Sequence, residues 1–284
     1  MNNRFQLRTK DIGFSYGMHE IAPVGTEISH CHDAYEFLFI VNGKGKYIIE
    51  GAEFLVTPGT LMCARPLEYH CIKIDASAPY ERYVLHFTAS SVLPEARELF
   101  ETIIAKKQGE DAYSAFTLSE SFVGIFDRFS LASSLDEERR EPFMRLLLSE
   151  LIMLLSVSAG ETRSVDEGEL GARVIKYLNE NIDKNINLDK IAKRFFVSKY
   201  YLCRAFKKHN GISVHGYINR KRIMLAKQLI ESGETASGAA YRVGFGDYSA
   251  FYLAYVKVLG EAPTVNVKTS ESISEDKTNE IQIS

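Results

Sequence analysis

Ser198-Lys-Tyr-Tyr-Leu-Cys-Arg-Ala-Phe-Lys-Lys208 is the stretch whose reading decides the fold. Ser198 is a favoured N-cap type, and no Gly or Pro interrupts the residues after it, so a helix of about three turns is expected. Leu202 and Phe206, four apart, share one face and anchor it in a core. Lys199, Tyr200, Cys203, Arg204 and Lys207 lie on the other side, a cationic surface with one aromatic. Just upstream, Leu188-Asp-Lys-Ile-Ala-Lys-Arg-Phe-Phe-Val197 reads as an amphipathic helix ending in a short turn. A helix, a tight turn and a second helix offering Arg and Lys can fill a DNA major groove. Charged outer faces are often merely solvated, and a single copy leaves that alternative open.

A second copy follows. In Asp247-Tyr-Ser-Ala-Phe-Tyr-Leu-Ala-Tyr-Val-Lys257, Asp247 takes the place of Ser198, Phe251 of Leu202, Tyr255 of Phe206 and Lys257 of Lys208. Each sits 49 residues after its counterpart, as in 247 against 198. Ala239-Ala-Tyr-Arg-Val243 stands for Ile191-Ala-Lys-Arg-Phe195, and Gly244-Phe-Gly246 forms the turn. One supersecondary unit is used twice, and two units on a rigid body can address groove segments about 34 Å apart. From about Ala172 to Lys268 the chain resembles the AraC family of bacterial transcription regulators. The most specific carrier of the resemblance is Gly-Phe-Gly-Asp-Tyr-Ser-x-Phe, residues 244 to 251.

Charge divides the chain in the same place. Residues 171–268 hold 17 Lys+Arg against 7 Asp+Glu, net +10, whereas residues 1–170 hold 16 against 26, net −10. A basic module joined to an acidic one is the electrostatic footprint of a DNA-binding domain attached to something else. With 284 residues the chain is long enough for two cores. No apolar run reaches the length of a membrane span, and Met1-Asn-Asn-Arg-Phe-Gln lacks the apolar centre of a signal peptide. Cys31, Cys63, Cys71 and Cys203 show no metal or disulfide spacing, which suits a reducing cytoplasm.

Residues 12 to 88 read as short strands and turns. Phe37-Leu-Phe-Ile-Val41 runs into Asn42-Gly43, and Lys46-Tyr-Ile-Ile-Glu50 follows. Leu61–Ala64, His70–Ile74 and Tyr83–Phe87 keep the rhythm, so a β-sandwich or barrel is expected, its mouth a pocket for a small molecule. The spacing of His30 and His32 places both on one side of an extended segment, and Glu36 keeps that parity. His30-Cys-His32, Glu36 and Gly43, with His70 later, look like the cupin signature, although Pro58-Gly59 departs from its second half. The region resembles the cupin-type sensor domain of the same regulator family.

Three readings of this cluster stay open. His30, His32, Glu36 and His70, with Tyr47, hold a small polar effector such as a sugar through hydrogen bonds. The four His and Glu side chains bind a divalent metal, which the protein would not require as a cofactor. Or the histidines are simply hydrogen-bonded inside the barrel. Arg65 and Arg82 are further polar candidates.

Residues 91–157 read as helical: Pro94–Ile104, Ser119–Ser130 and a long helix from Glu141 with Pro142 in its first turn. Phe143, Leu147, Leu151 and Leu154 make one apolar stripe; Met144, Leu148, Ile152 and Leu155 widen it beyond what one barrel face needs. A homodimer through this segment is expected, with burial between barrel and linker as the alternative. Residues 158–171 have the composition of a linker and 269–284 that of a disordered tail. The fold class is therefore multidomain. Residues 1–90 form a cupin-like β-barrel or sandwich, 91–157 a helical segment, and 172–268 an all-α domain of two helix-turn-helix units.

For DNA, Arg204 is the expected base reader, with Tyr200 and Cys203 beside it. Lys199, Lys207, Lys208, Arg220 and Lys221 are assigned to phosphates. The second unit has Leu253 where relatives of the family usually carry Arg, and Tyr255-Val256 in place of the usual Phe-Lys pair. Weaker, more apolar readout through Tyr248, Ala250, Tyr252 and Leu253 is expected there, with Lys257 its one helix cation. The resemblance implies a cytoplasmic, promoter-binding regulator, an activator that touches RNA polymerase, controlled by an effector and not itself an enzyme. The competing reading is a metal-dependent cupin enzyme fused to a DNA-binding module.

Overall fold

The computed structural model describes residues 3–20, 29–75, 79–104, 114–119, 122–157 and 170–264. Of the linker expected at 158–171, residues 158–169 lie outside the described residues, as does the tail at 269–284, while Leu170 and Gly171 are already helical. Eight strands open the chain: β1 (Asn3–Arg8), β2 (Ile12–His19), β3 (Tyr35–Asn42), β4 (Gly45–Ile49), β5 (Ala52–Val56), β6 (Thr60–Ala64), β7 (His70–Ile74) and β8 (Tyr80–Phe87). Helix α1 (Pro94–Ile104), strand β9 (Ser114–Thr117) and helices α2 (Val123–Leu131) and α3 (Glu137–Val157) follow.

The strands form two antiparallel sheets, β1-β2-β8-β3-β6-β9 and β5-β4-β7. The unbroken apolar run in β3 is explained by what lies on either side of it. Phe37 and Phe39 enter a core shared with α1–α3, whereas Leu38 and Ile40 enter the core between the two sheets. A strand buried on both faces has no need of polar alternation. Phe39 and Tyr83 stack on Phe126 of α2, with ring centroids 4.9 and 5.3 Å apart.

β1 pairs in register with β2, and β9 adds a strand to β6, so the segment after residue 90 is not purely helical. Helix α2 begins at Val123, not Ser119. Helix α3 begins at Glu137, with Asp136 accepting from the Arg139 amide at 2.9 Å, so Pro142 lies inside the helix and not in its first turn. Met144, Leu147, Leu148, Leu151, Ile152 and Leu155 are all buried within the chain. The breadth of that stripe reflects its packing against α1, α2 and β2 in the core they share.

The C-terminal part holds α4 (Leu170–Asn179), α5 (Leu188–Arg194), α6 (Lys199–Asn210), α7 (Val214–Glu231), α8 (Ala236–Arg242) and α9 (Tyr248–Leu259). Each start from α5 onward is capped by a side chain: Asn187, Ser198, Ser213, Thr235 and Asp247. Gly211 and Gly260, both left-handed, end α6 and α9. Two cores result, as the repeat implies. Leu202 and Phe206 pack with α4, α5 and the start of α7; Phe251 and Tyr255 pack with α8 and the rest of α7.

Candidate functional site

Two exposed faces belong to the repeated units. On α6, Lys199, Arg204, Lys207 and Lys208 are exposed and Tyr200 is 76 % exposed, while Cys203 is half-buried. Lys199 is 3.1 Å from Asp189 of α5, and Arg220 is half-buried. On α9, Tyr248, Ala250, Tyr252, Leu253 and Lys257 are all exposed. The two faces differ as their side chains do, one cationic and one aromatic and aliphatic. Lys221 is elsewhere. It is only 12 % exposed and ion-paired to Glu50 of the N-terminal domain at 2.6 Å, because α7 turns that flank to the barrel and away from solvent.

The histidines converge where the two sheets open. His30 and His70 exchange backbone hydrogen bonds of 3.0 and 2.9 Å, which brings their rings to 4.6 Å. One nitrogen or oxygen from each of His30, His32, Glu36 and His70 lies within 4.8 Å of the others. His86 joins them, its Nε2 2.9 Å from Glu36 Oε2. Sequence reading missed it, though the polar residue in Tyr83-Val-Leu-His-Phe87 shares parity with Val84, which faces the opposite sheet. Tyr47, expected in the pocket, is instead buried between the sheets and stacks on His70 at 5.9 Å. Arg65 is held by Glu68 at 2.9 Å and the Ile104 carbonyl, and Arg82 lies over the Tyr80 ring.

The electrostatics of the cluster follow from its hydrogen bonds. His32 Nδ1 donates to the Ala34 carbonyl at 2.9 Å and His70 Nδ1 to the Glu68 carbonyl at 2.8 Å. In the neutral rings both Nε2 atoms are then bare lone pairs, yet they face Glu36 Oε2 at 3.3 and 3.5 Å. Two acceptors against a carboxylate call for a cation between them, a proton or a metal ion. Burial works against the Glu36 charge, but His70 and hydrogen bonds from His32, His70 and His86 outweigh it and hold its carboxyl well below the usual range. Burial likewise opposes a charged His70, and Glu36 outweighs that and raises its pKa.

A cavity of about 750 Å³ adjoins this cluster. Arg8 and Asp11 of the β1–β2 hairpin, His32 and His86 line the barrel side; Gln228 and Glu231 of α7 line the other. The space between the sheets is itself filled by Leu38, Ile40, Tyr47, Phe54, Met62 and Val84. This cavity lies at the mouth of the barrel, beneath α7.

Residues 25–176 match the family described as an AraC-like ligand binding domain, and residues 191–268 match a helix-turn-helix domain. The chain belongs to the AraC family of transcription regulators. It is 28 % identical over 233 residues to the uncharacterized HTH-type transcriptional regulator YbfI of Bacillus subtilis, covering 78 % of this chain and 80 % of that one. It is 23 % identical over 248 residues to the HTH-type transcriptional activator RhaS of Salmonella arizonae, covering 82 % and 85 %. Among solved structures, ToxT of Vibrio cholerae aligns over 93 % of this chain and 94 % of its own, with 14 % identity and a TM-score of 0.36. This AraC-family chain is thus a transcription regulator with a ligand-binding domain, and its relatives are regulators and not enzymes. Among the described residues no helix is long and apolar enough to cross a membrane.

Proposed function

We propose that this protein is a cytoplasmic, sequence-specific transcription activator that reads promoter DNA with α6 and α9 and is controlled by a small polar effector. The observation that carries the reading is the pairing of two capped, outward-facing helices with a cavity set between the barrel mouth and α7 and lined in part by His32, His86, Gln228 and Glu231. Arg204 reads a guanine edge, and Tyr200 and Cys203 meet neighbouring bases. Lys199, Lys207, Lys208 and Arg220 hold phosphates. Tyr248, Ala250, Tyr252 and Leu253 make the apolar second readout, with Lys257 on the backbone.

The effector is a sugar or related metabolite, met by His30, His32, Glu36 and His70 and by the added His86. Hydroxyl groups match this mixture of imidazole, carboxylate and amide. Activation proceeds by contact with RNA polymerase, in keeping with the activator name of one relative. A homodimer forms through α3, where Leu146, Met153 and Val157 stay exposed after its broad stripe is buried. Thermal-shift screening of the full chain with sugars, uronic acids and divalent metal salts tests the pocket. A stabilising sugar whose effect is lost in His32→Ala and His86→Ala supports this reading, and stabilisation by metal salts alone counts against it.

A second reading is favoured by one observation, the buried His70 Nε2 whose lone pair faces the Glu36 carboxylate at 3.5 Å. Three imidazoles and a carboxylate fit a borderline divalent ion such as Zn²⁺ or Ni²⁺. His30, His32, Glu36 and His70 would hold it, and the ion would supply an electrophilic anchor for an effector oxygen. Metal analysis of protein purified without chelator, before and after His70→Ala, separates this from a purely hydrogen-bonded site.

A further inference from the structure

The tip of the β4–β5 hairpin carries a carboxylate that the other domain satisfies. Glu50 is 6 % exposed. Its Oε1 accepts from the Tyr69 amide at 2.7 Å and from Lys221 Nζ at 2.6 Å. Its Oε2 accepts from the Tyr217 hydroxyl at 2.6 Å and from Asn179 Nδ2. Asn179 lies on α4, and Tyr217 and Lys221 on α7, so three of the four donors belong to the DNA-binding domain. Lys221 also donates to the Leu67 carbonyl at 2.6 Å.

Backbone strain gathers at the same place. Among the described residues, only Glu50, Leu67 and Phe196 are non-glycine residues with positive φ, at 46°, 67° and 56°. Two of these three are the residues that hold Lys221. Such conformations persist only where their surroundings over-determine them, and they collect at switch regions. Gly51, at φ +84°, brings the hairpin so close to α4 that an added Cβ would lie 2.6 Å from Ala172 Cα. Lys227 is likewise taken by a barrel acid, Asp33, which lines the cavity. Two cations of the basic domain are thus neutralised by the acidic one.

Four consecutive residues join this contact to the imidazole cluster. The Leu67 carbonyl takes Lys221, and the Glu68 carbonyl holds the His70 ring. The Tyr69 amide and carbonyl both bond to Glu50, and His70 pairs with His30. Each residue of this continuous segment thus holds one side or the other of the path between Lys221 and His30.

We propose that the Glu50–Lys221 pair is a latch that keeps the DNA-binding domain docked on the barrel in an arrangement of low DNA affinity, and that the Leu67–His70 segment releases it when the cluster is occupied. The latch stands on the interdomain geometry alone; its trigger rests on the reading of the cluster as the effector site. Release uncouples the basic domain from a body of net charge −10 and frees Lys221 and Lys227, so attraction to phosphates rises.

The test uses the full chain, with hydrogen exchange in peptides covering residues 45–56 and 65–72 and binding to a random-sequence duplex at low ionic strength. In Glu50→Gln, exchange in both peptides speeds on the order of tenfold and DNA binding tightens about fivefold or more. Lys221→Met opens the same contact from the helix side, with faster exchange and a smaller gain in affinity because a cation is lost. It decides the matter if Glu50→Gln does not fold. Unchanged exchange and affinity in Lys221→Met overturn the latch, as does opening without any change in affinity, which marks a passive interface. His70→Ala stands in for a disturbed cluster and should open the latch part-way. Opening in the first two variants with none in His70→Ala overturns the trigger and leaves the effector reading to its own ligand screen.

Discussion

The two helix-turn-helix units share a scaffold and differ in almost everything laid upon it. Both have a capped recognition helix, a glycine stop and a pair of buried anchors four residues apart. In the first turn Phe196 takes the left-handed position, its amide bonded to the Lys193 carbonyl and the next amide to that of Ala192. In the second, Gly244 and Phe245 make the equivalent bonds to Tyr241 and Ala240, 48 residues on, as in 244 against 196. The caps are 49 apart, so Gly246 is one inserted residue. Packing was kept where a change would open a core, and side chains diverged where only solvent or DNA meets them. The two units share one scaffold and present different side chains from it.

The sharpest test of the shared scaffold is to empty both anchors. Phe206 and Phe251 are fully buried, each in a separate core. Alanine at either site should cost about 3–5 kcal/mol, measured by urea unfolding. Similar losses support equivalence of the units; a loss confined to Phe206→Ala shows that the second unit is carried by the first. Gly244→Ala ranks next. Its φ is +89° and an added Cβ would meet the Asp183 carbonyl at 2.5 Å, so a loss of about 1–3 kcal/mol is expected.

Readout comes third. Arg204→Ala should remove about 1–3 kcal/mol of discrimination at one base pair. Leu253→Ala should weaken binding by less and more evenly across sequences, since an aliphatic side chain makes no bidentate hydrogen bond. Competition binding against single-base operator variants distinguishes them. If Leu253→Ala relaxes specificity more than Arg204→Ala, the ranking of the units is reversed.

The units also differ in their hold on the barrel, and pH probes that difference. Asn179, Tyr217 and Lys221, which surround Glu50, sit on the first unit and the start of α7. Burial raises the Glu50 pKa, but Lys221, Tyr217 and Asn179 outweigh it and the net shift is downward. A carboxyl depressed in the folded state contributes stability above its ordinary value, near 4.5, that is lost as pH falls through the folded value. Acidification should therefore undock the first unit from the barrel, read as faster exchange at residues 45–56. Glu50→Gln should abolish that pH dependence.

What the sequence disclosed followed local rules. Ser198, Asp247, Leu202, Phe206, Phe251 and Tyr255 announce capped amphipathic helices because those signals act within one or two turns. Parity brought His30, His32 and Glu36 together for the same reason. β9 was missed because an edge strand takes its identity from a partner, here β6, that is distant in sequence; β1 was missed although it pairs with its neighbour β2. Pro142 misled because Asp136 starts the helix earlier than the proline suggests. Lys221 was assigned to phosphates because nothing near it in sequence announces Glu50, 171 residues away. Interfaces between domains are written in pairs that a local pattern never contains.

The smallest expected effect concerns Phe196, and it runs against the usual direction of mutation. The side chain is 96 % exposed, so replacing it forfeits little burial. Its φ of +56° is a conformation that costs a β-carbon about 1 kcal/mol and costs glycine almost nothing. Glycine widens the unfolded ensemble by a few tenths of that. Phe196→Gly should therefore stabilise the first unit by about 0.5 kcal/mol, a rise of roughly one or two degrees in melting temperature for a chain of this size. The same exchange in reverse at Gly244 is destabilising. Opposite signs at equivalent positions would show that the two turns share one backbone and that only the second has the residue it favours; destabilisation by Phe196→Gly would show that the exposed ring contributes to the fold.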